Sequence, residues 1–308
     1  MRKSATLPEG PGLAAAFPGD RGIARHPSVV LAEDFENATL ASLGKTWSDI
    51  SNKGGKPLVL ETDPGTRRRV LKITATLGQD SGGHLFTLLP QAAETLFARF
   101  YVRFEPDADY IHHFVWMGGH NPGTRWPNPQ AGSRPQGDDR VAVGIEPYGD
   151  SGRFAAPGAW NFYTYWHEMK KSGDGKFWGA AIAPETKPLL VPRGRWQCVE
   201  FMIKLNSRPE KSDGALALWL DGKLAMHVAP GVRRGPWTGL GFTLPETGGE
   251  PFEGFRWRTS KDLLLNYFWL EHYVTEEALR RNKSRLKPTN AVWFDDIVVA
   301  SEYIGPRS

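Results

Sequence analysis

Three short stretches of this 308-residue chain carry side chains able to move a proton or fix a charge. The first holds His112, His113 and Trp116 within residues 110–117 (YIHHFVWM), followed by Gly118-Gly119 and His120. Adjacent strand residues point to opposite faces of a sheet. His112 is therefore expected with Phe114 and Trp116, and His113 with Ile111, Val115 and Met117, so the two histidines should not line one groove. The second stretch, residues 140–146 (RVAVGIE), places Arg140, Ala142, Gly144 and Glu146 on one face. Small residues between two charges leave space for a ligand, although a solvent-facing strand with a salt bridge has the same pattern. The third, residues 161–169 (NFYTYWHEM), puts Asn161, Tyr163, Tyr165 and His167 on one face, with Glu168 on the other. Such a row offers ring planes for the apolar faces of sugars and polar tips for their hydroxyls. It also suits buried tyrosines that bond to backbone.

The chemistry open to this inventory is proton transfer beside a carboxylate. The C5 proton of a uronate is weakly acidic until its carboxylate is neutralised by Arg, Asn, Gln or protonated His. A base, His or Tyr, then removes the proton, and an acid, usually Tyr, protonates the leaving oxygen. His113, Arg140, Asn161, Tyr163, Tyr165 and His167 contain all three roles. Trp116, His120 and Glu146 are the neighbouring substrate contacts. In the loop 233–260, Arg256, Trp257 and Arg258 could clamp an anionic sugar by ion pairing and stacking, unless the arginines of this loop pair with Glu250 and Glu253. Hydrolysis would instead use two carboxylates, drawn from Glu146, Glu168 and Glu271. It ranks below elimination, because no compact Glu-x-Asp-x-x-Glu string is present. No zinc, haem, nucleotide or phosphate-loop motif is visible, so no cofactor is required.

The elements that must position these residues read as strands. The chain has 34 Gly, 24 Pro, 12 Trp, 8 Tyr and 16 Phe, a balance of turn formers and aromatics that favours short strands over helices. Strands are expected at 29–36, 57–61, 70–75, 96–104, 110–117, 140–146, 161–169, 195–205, 215–220, 224–228, 263–274 and 293–300. A polar hairpin is expected at 170–179, and the only short helix opens at Thr275. Residues 1–28 read as an extended arm and 29–308 as one domain. A dozen strands at this spacing indicate an all-β, antiparallel two-sheet β-sandwich. The single cysteine, Cys198, excludes an internal disulfide. The net charge of only +4 argues against a nucleic-acid partner, and no apolar run is long enough for a membrane span. The expected partner is a polysaccharide. The expected location is secreted or periplasmic, with the signal peptide missing from this chain, or else cytoplasmic.

The phrases Gly194-Arg195-Trp196-Gln197-Cys198-Val199-Glu200 and Leu218-Trp219-Leu220-Asp221-Gly222-Lys223 resemble the paired back strands of concanavalin A-like jelly rolls. Glu33-Asp34-Phe35-Glu36 resembles their first strand, and Trp293-Phe294-Asp295-Asp296-Ile297-Val298-Val299 their last. Arg99-Phe100-Tyr101-Val102-Arg103-Phe104, followed by a strand ending Gly118-Gly119, looks like the jelly-roll polysaccharide lyases acting on alginate and glucuronan. The resemblance covers most of residues 29–304. It implies a β-jelly roll and β-elimination on an anionic polysaccharide. A glycoside hydrolase, a non-catalytic carbohydrate-binding module and a structural surface protein are the alternatives. Asp295 and Asp296, with Glu33 or Glu36, resemble the calcium corner of many jelly-roll carbohydrate modules, which implies a structural calcium; turn-forming aspartates are the plainer reading.

Overall fold

The computed structural model describes residues 6–124 and 131–308. In chain order its strands are β1 (Val29–Glu33), β2 (Asp49–Ser51), β3 (Leu58–Thr62), β4 (Arg69–Thr76), β5 (Gly82–Ala93), β6 (Thr95–Phe104), β7 (His113–His120), β8 (Arg140–Tyr148), β9 (Ala159–Tyr165), β10 (Ala180–Pro184), β11 (Gln197–Lys204), β12 (Ala215–Leu220), β13 (Lys223–Val228), β14 (Arg233–Arg234), β15 (Phe242–Leu244), β16 (Glu250–Pro251), β17 (Leu265–Tyr273) and β18 (Thr289–Ala300). One helix, α1 (Glu276–Arg281), lies between the last two strands, where the sequence predicts it, capped by the Thr275 hydroxyl accepting from the Ala278 N–H.

Two sheets form the sandwich. The back sheet runs β13-β12-β11-β6-β18-β4-β3, with β1 also paired to β18. The front sheet runs β15-β10-β9-β8-β7-β17-β5-β2, antiparallel except at β10–β15. This is the all-β jelly-roll sandwich that the sequence predicts.

Period-two alternation builds the layer between the sheets. Ala98, Phe100, Val102 and Phe104 on β6 are buried, and they meet Phe114 and Trp160 from the front sheet. Phe114 also stacks on Phe294 of β18, with ring centroids 5.2 Å apart. Each such ring removes enough apolar surface from water to stabilise the fold by roughly 1.5–3 kcal/mol.

The outer face of the back sheet is apolar too, at Phe97, Met202, Ala217 and Trp219, and this determines the course of the N-terminal arm. The arm is not extended. It folds into short 3₁₀ turns at Leu13–Ala16, Pro18–Asp20 and Ile23–Arg25, and Ala14 and Ile23 cover that face. Asp20 pairs with the fully buried Arg99, and the Trp219 indole donates to the Pro8 carbonyl. An apolar face left bare would be an association surface, so the arm and the C-terminal segment close it.

Further differences from the sequence reading concern elements: the short strands β2 and β10 were not expected, and β14, β15 and β16 lie within the stretch 233–260 read as a loop. β5, a 12-residue strand, was not expected; it opens on Gly82-Gly83 and carries Pro90 near its end, residue types uncommon inside strands. The predicted 110–117 strand begins only at His113 and extends to His120. Residues 170–179 form a turn closed by the Ser172 N–H on the Lys176 carbonyl, with no strand pair. The sequence also reads as a long Pro/Gly-rich loop over 119–139, and part of it, residues 125–130, lies outside the described residues. Among the described residues, no helix is long and apolar enough to cross a membrane.

Candidate functional site

The outward face of the front sheet is a lattice of paired residues. β7 and β8 pair His120 with Arg140, Gly118 with Ala142 and Trp116 with Gly144. β8 and β9 pair Ala142 with Tyr165, Gly144 with Tyr163 and Glu146 with Asn161. β17 adds Tyr267 beside Gly118 and Trp269 beside Trp116. Above this lattice lies a cavity of about 460 Å³. Two glycines let rings lie flat on the sheet. A Cβ at Gly144 would approach the Trp116 ring to 3.2 Å, and one at Gly118 would approach the Tyr267 hydroxyl to 2.6 Å. The space expected above Gly144 is therefore filled by Trp116, and the open volume lies to either side of it.

One end of the cavity is built around Arg140, which is 4% exposed. Its guanidinium donates to the carbonyl and the hydroxyl of Ser133, both at 2.9 Å. Its paired neighbour His120 is fixed through its backbone by Asn266, which accepts from the His120 N–H and donates to the His120 carbonyl. Burial, and then the charge of Arg140, push the His120 imidazole down to about 4, so it is unprotonated at neutral pH. Burial raises the Tyr165 hydroxyl above the ordinary tyrosine range, so it keeps its proton. A cation, a neutral imidazole and a protonated phenol thus occupy neighbouring positions.

The other end is built around His113. Its Nδ1 lies 3.0 Å from Glu146 Oε2. Burial alone would favour the neutral ring, but Glu146 and Glu271 together outweigh it and raise the His113 pKa. Burial pushes Glu271 up to about 8 against the opposing pull of His113, with Glu146 adding to the rise. Tyr163, half-buried between His113 and Trp116, is also held protonated, by burial and then by Tyr165. Asn161 is buried beneath this end and donates to the Glu146 carbonyl at 2.8 Å, a supporting place behind the cavity wall.

His112 and His113 both line the cavity, contrary to the expectation from strand alternation. His112 precedes β7, and the pairing of β17 with β7 slips by one residue between Leu270 and Tyr273. The two imidazoles stack at 4.3 Å, and His112 is pushed down to about 3, first by burial and then by His113.

The structure brings together His113, Arg140, Tyr163, Tyr165, Trp116, His120 and Glu271 around this cavity, with Glu146 against His113. It does not bring in the others. β9 ends at Tyr165, so His167 and Glu168 lie on the following turn rather than in the row. Glu168 is exposed, bridges Arg256 at 3.4 Å and does not line the cavity that Glu271 lines. Arg256 also donates to the Pro209 carbonyl. Trp257 is wholly buried against Phe255, with ring centroids 4.0 Å apart, so it offers no face to a sugar. Arg258 is wholly buried and held by Glu94 and by the Leu263 and Asn206 carbonyls. The acidic corner carries arginines where calcium was expected. Arg68 contacts Glu36 (3.1 Å), Asp295 (2.7 Å) and Asp296 (2.6 Å), and Arg307 pairs with Asp296. Glu33 is turned to the Phe35 N–H. Among the described residues, no group of three or more His, Cys, Asp or Glu side chains is placed to hold a metal ion.

Several lining residues were missed. Tyr267, Trp269 and Tyr273 alternate along β17 with Glu271, a period-two row like that of β9 and open to the same reasoning. His84 sits on the unexpected β5 and pairs with Asp49 at 3.6 Å. Trp178 and Lys53 come from loops, and no local pattern marks them.

No known family profile matches the sequence, and no curated protein matches it. Solved structures do match. An alginate lyase from Chlorella virus superposes with a TM-score of 0.58 at 14% identity, covering 89% of this chain and 100% of the other. A second alginate lyase gives 0.55 at 13% identity over 88% of this chain and 96% of the other. An endo-β-1,4-glucuronan lyase from the fungus Trichoderma reesei gives 0.51 at 14% identity over 89% and 96%. The chain therefore has the jelly-roll-like fold of these polysaccharide lyases over nearly its whole length, as the strings on its back sheet indicate.

Proposed function

We propose that the protein is a carbohydrate-active enzyme that cleaves a uronate-containing polysaccharide by β-elimination, at the Arg140 end of the cavity. The observation that carries this reading is the meeting there of Arg140, an unprotonated His120 and a protonated Tyr165. Arg140 neutralises the uronate carboxylate and so acidifies the C5 proton. His120 accepts that proton. The electron pair left on C5 forms the C4–C5 double bond, the C4–O bond breaks, and the leaving oxygen takes the Tyr165 proton. Solvent then returns the proton from His120 to Tyr165. His113, whose pKa is raised against burial chiefly by Glu146, holds the carboxylate of a neighbouring sugar when protonated. Trp116, Trp178 and Trp269 offer ring planes to the chain. The likeness to lyases of alginate and glucuronan supports the choice of substrate class. A polymer too large to enter a cell goes with a secreted or periplasmic enzyme.

Glycoside hydrolysis is the second reading, and Glu271 favours it. A carboxyl pushed up to about 8 keeps its proton at neutral pH and can serve as a general acid beside Glu146. Tyr165→Phe and Glu271→Gln separate the two. Elimination at Arg140 predicts that Tyr165→Phe lowers kcat by about 10²–10⁴-fold, while Glu271→Gln mainly raises KM. The opposite pattern would transfer the chemistry to the carboxylates. Tight binding of polyuronate with no product from the wild-type chain would make it a binding module.

A further inference from the structure

The Arg140 end of the cavity continues past the edge of β9. The turn after Tyr165 carries His167 into a shallow recess that it shares with Arg134, Lys171 and Phe177. Neighbouring residues of one segment line recess and cavity. The Phe177 N–H bonds to the Gly132 carbonyl at 3.0 Å, and while Phe177 faces the recess, Trp178 faces the cavity. One short loop serves both sides. Ser133 holds Arg140, and the next residue, Arg134, lies over the Phe177 ring at 5.5 Å.

His167 is positioned rather than merely exposed. Its side chain is 12% accessible, and neither ring nitrogen has a hydrogen-bond partner of good geometry among the described residues, although the Trp257 backbone lies near enough to favour the protonated ring. Gly137, at φ 99°, lays its backbone against the ring, and a Cβ there would come within 3.0 Å of it. A buried polar group without a protein partner is uncommon and calls for a ligand or water. Glu168 borders the recess 3.7 Å from His167, and Arg256 is ion-paired to it. Arg134 and Lys171 therefore leave the recess with an excess of positive charge.

We propose that this recess is a second subsite, which holds the carboxylate of another uronate on the same chain whose reacting sugar lies at Arg140. The proposal rests on reading the cavity as a polyuronate site. Arg134 and Lys171 bind the carboxylate, His167 hydrogen-bonds a sugar hydroxyl, and Phe177 supplies an apolar plane. The enzyme then prefers chains long enough to fill both places.

The test is calorimetric binding by the full chain in a Tyr165→Phe background, so that the ligand is not cut. Arg134→Ala/Lys171→Ala is compared with its parent on alginate and glucuronan trisaccharides and hexasaccharides, and on carboxyl-reduced hexasaccharides. Both substituted residues are exposed, and unchanged melting confirms the fold. The expected result is that the hexasaccharide binds about tenfold more weakly to the double variant. Trisaccharide binding stays unchanged, and the carboxyl-reduced chain binds poorly to both. Equal hexasaccharide affinity in parent and double variant overturns the subsite and leaves the cavity reading standing. A parent that binds neither acidic oligosaccharide overturns both.

Discussion

The protonation states around the cavity follow from where individual side chains sit. His120 and His113 are both imidazoles on β7. Burial beside Arg140 pushes His120 down to about 4, while Glu146 and Glu271 raise His113. A His113 raised by its carboxylates stays cationic to higher pH than a free imidazole. Replacing Glu146 by Gln removes one of those carboxylates and the bond at 3.0 Å. The expected outcome is that the KM for polyuronate climbs at a pH lower by roughly one to three units in Glu146→Gln, since that is the usual effect of an opposite charge at this range. A pH series of kcat/KM on both proteins checks it, and superimposable profiles would remove Glu146 from the role. Arg140→Ala should cost more than any change at His113, because it exposes the reacting carboxylate to no other cation of comparable place. In the sequence, Arg140, Tyr163 and Tyr165 were legible because each falls at period two on a strand that forms as expected. His167 obeys the same arithmetic but lies two residues beyond the end of β9, and periodicity cannot say where a strand stops. Arg258 and Trp257 show a different limit. An Arg-Trp-Arg string does not reveal whether it faces water, and here tertiary packing buries both Trp257 and Arg258.

Among the elements, the chain termini act as covers for the back sheet. The Glu200 carboxylate on β11 accepts from the backbone N–H groups of Ile304 and Gly305, both at 2.8 Å. Burial raises its pKa from 4.5 to about 7, against the pull of those two N–H bonds and of Arg99. The folded state thus binds the proton more tightly than the unfolded state. The stabilisation this brings is full below pH 4.5 and is lost as pH rises to about 7. The swing is of the order of 3 kcal/mol for a shift of this size. Thermal melts at pH 5 and pH 7 should therefore show a larger loss in wild type than in Glu200→Gln, where the group no longer titrates. An identical pH slope in the two proteins would contradict the assignment. Most strands were readable from alternation, and α1 from its Thr275 cap. β5 was not, because glycines at its start serve close approach rather than a turn. A Cβ at Gly82 would come within 2.0 Å of the His272 carbonyl on the neighbouring β17. The arm was misjudged for a related reason. Its proline and glycine spacing shows no period, and only the apolar outer face of another element calls it down.

For the whole molecule, the sandwich supplies a rigid floor, and the front sheet keeps its outward face for polar and aromatic side chains while its inward face fills the core. This explains why the architecture could be inferred from back-sheet strings such as those around Trp196 and Trp219, whereas the proposed chemistry draws on residues from four strands, β7, β8, β9 and β17, meeting over one cavity. The central claim is elimination at that cavity, and it has a direct readout. Incubation of the purified protein with alginate and with glucuronan, followed by ultraviolet absorbance and by a reducing-end assay on the same samples, distinguishes the cases. The account predicts absorbance of a conjugated double bond rising in step with new reducing ends on at least one polyuronate, and neither signal on its carboxyl-reduced form. New reducing ends without that absorbance would contradict it.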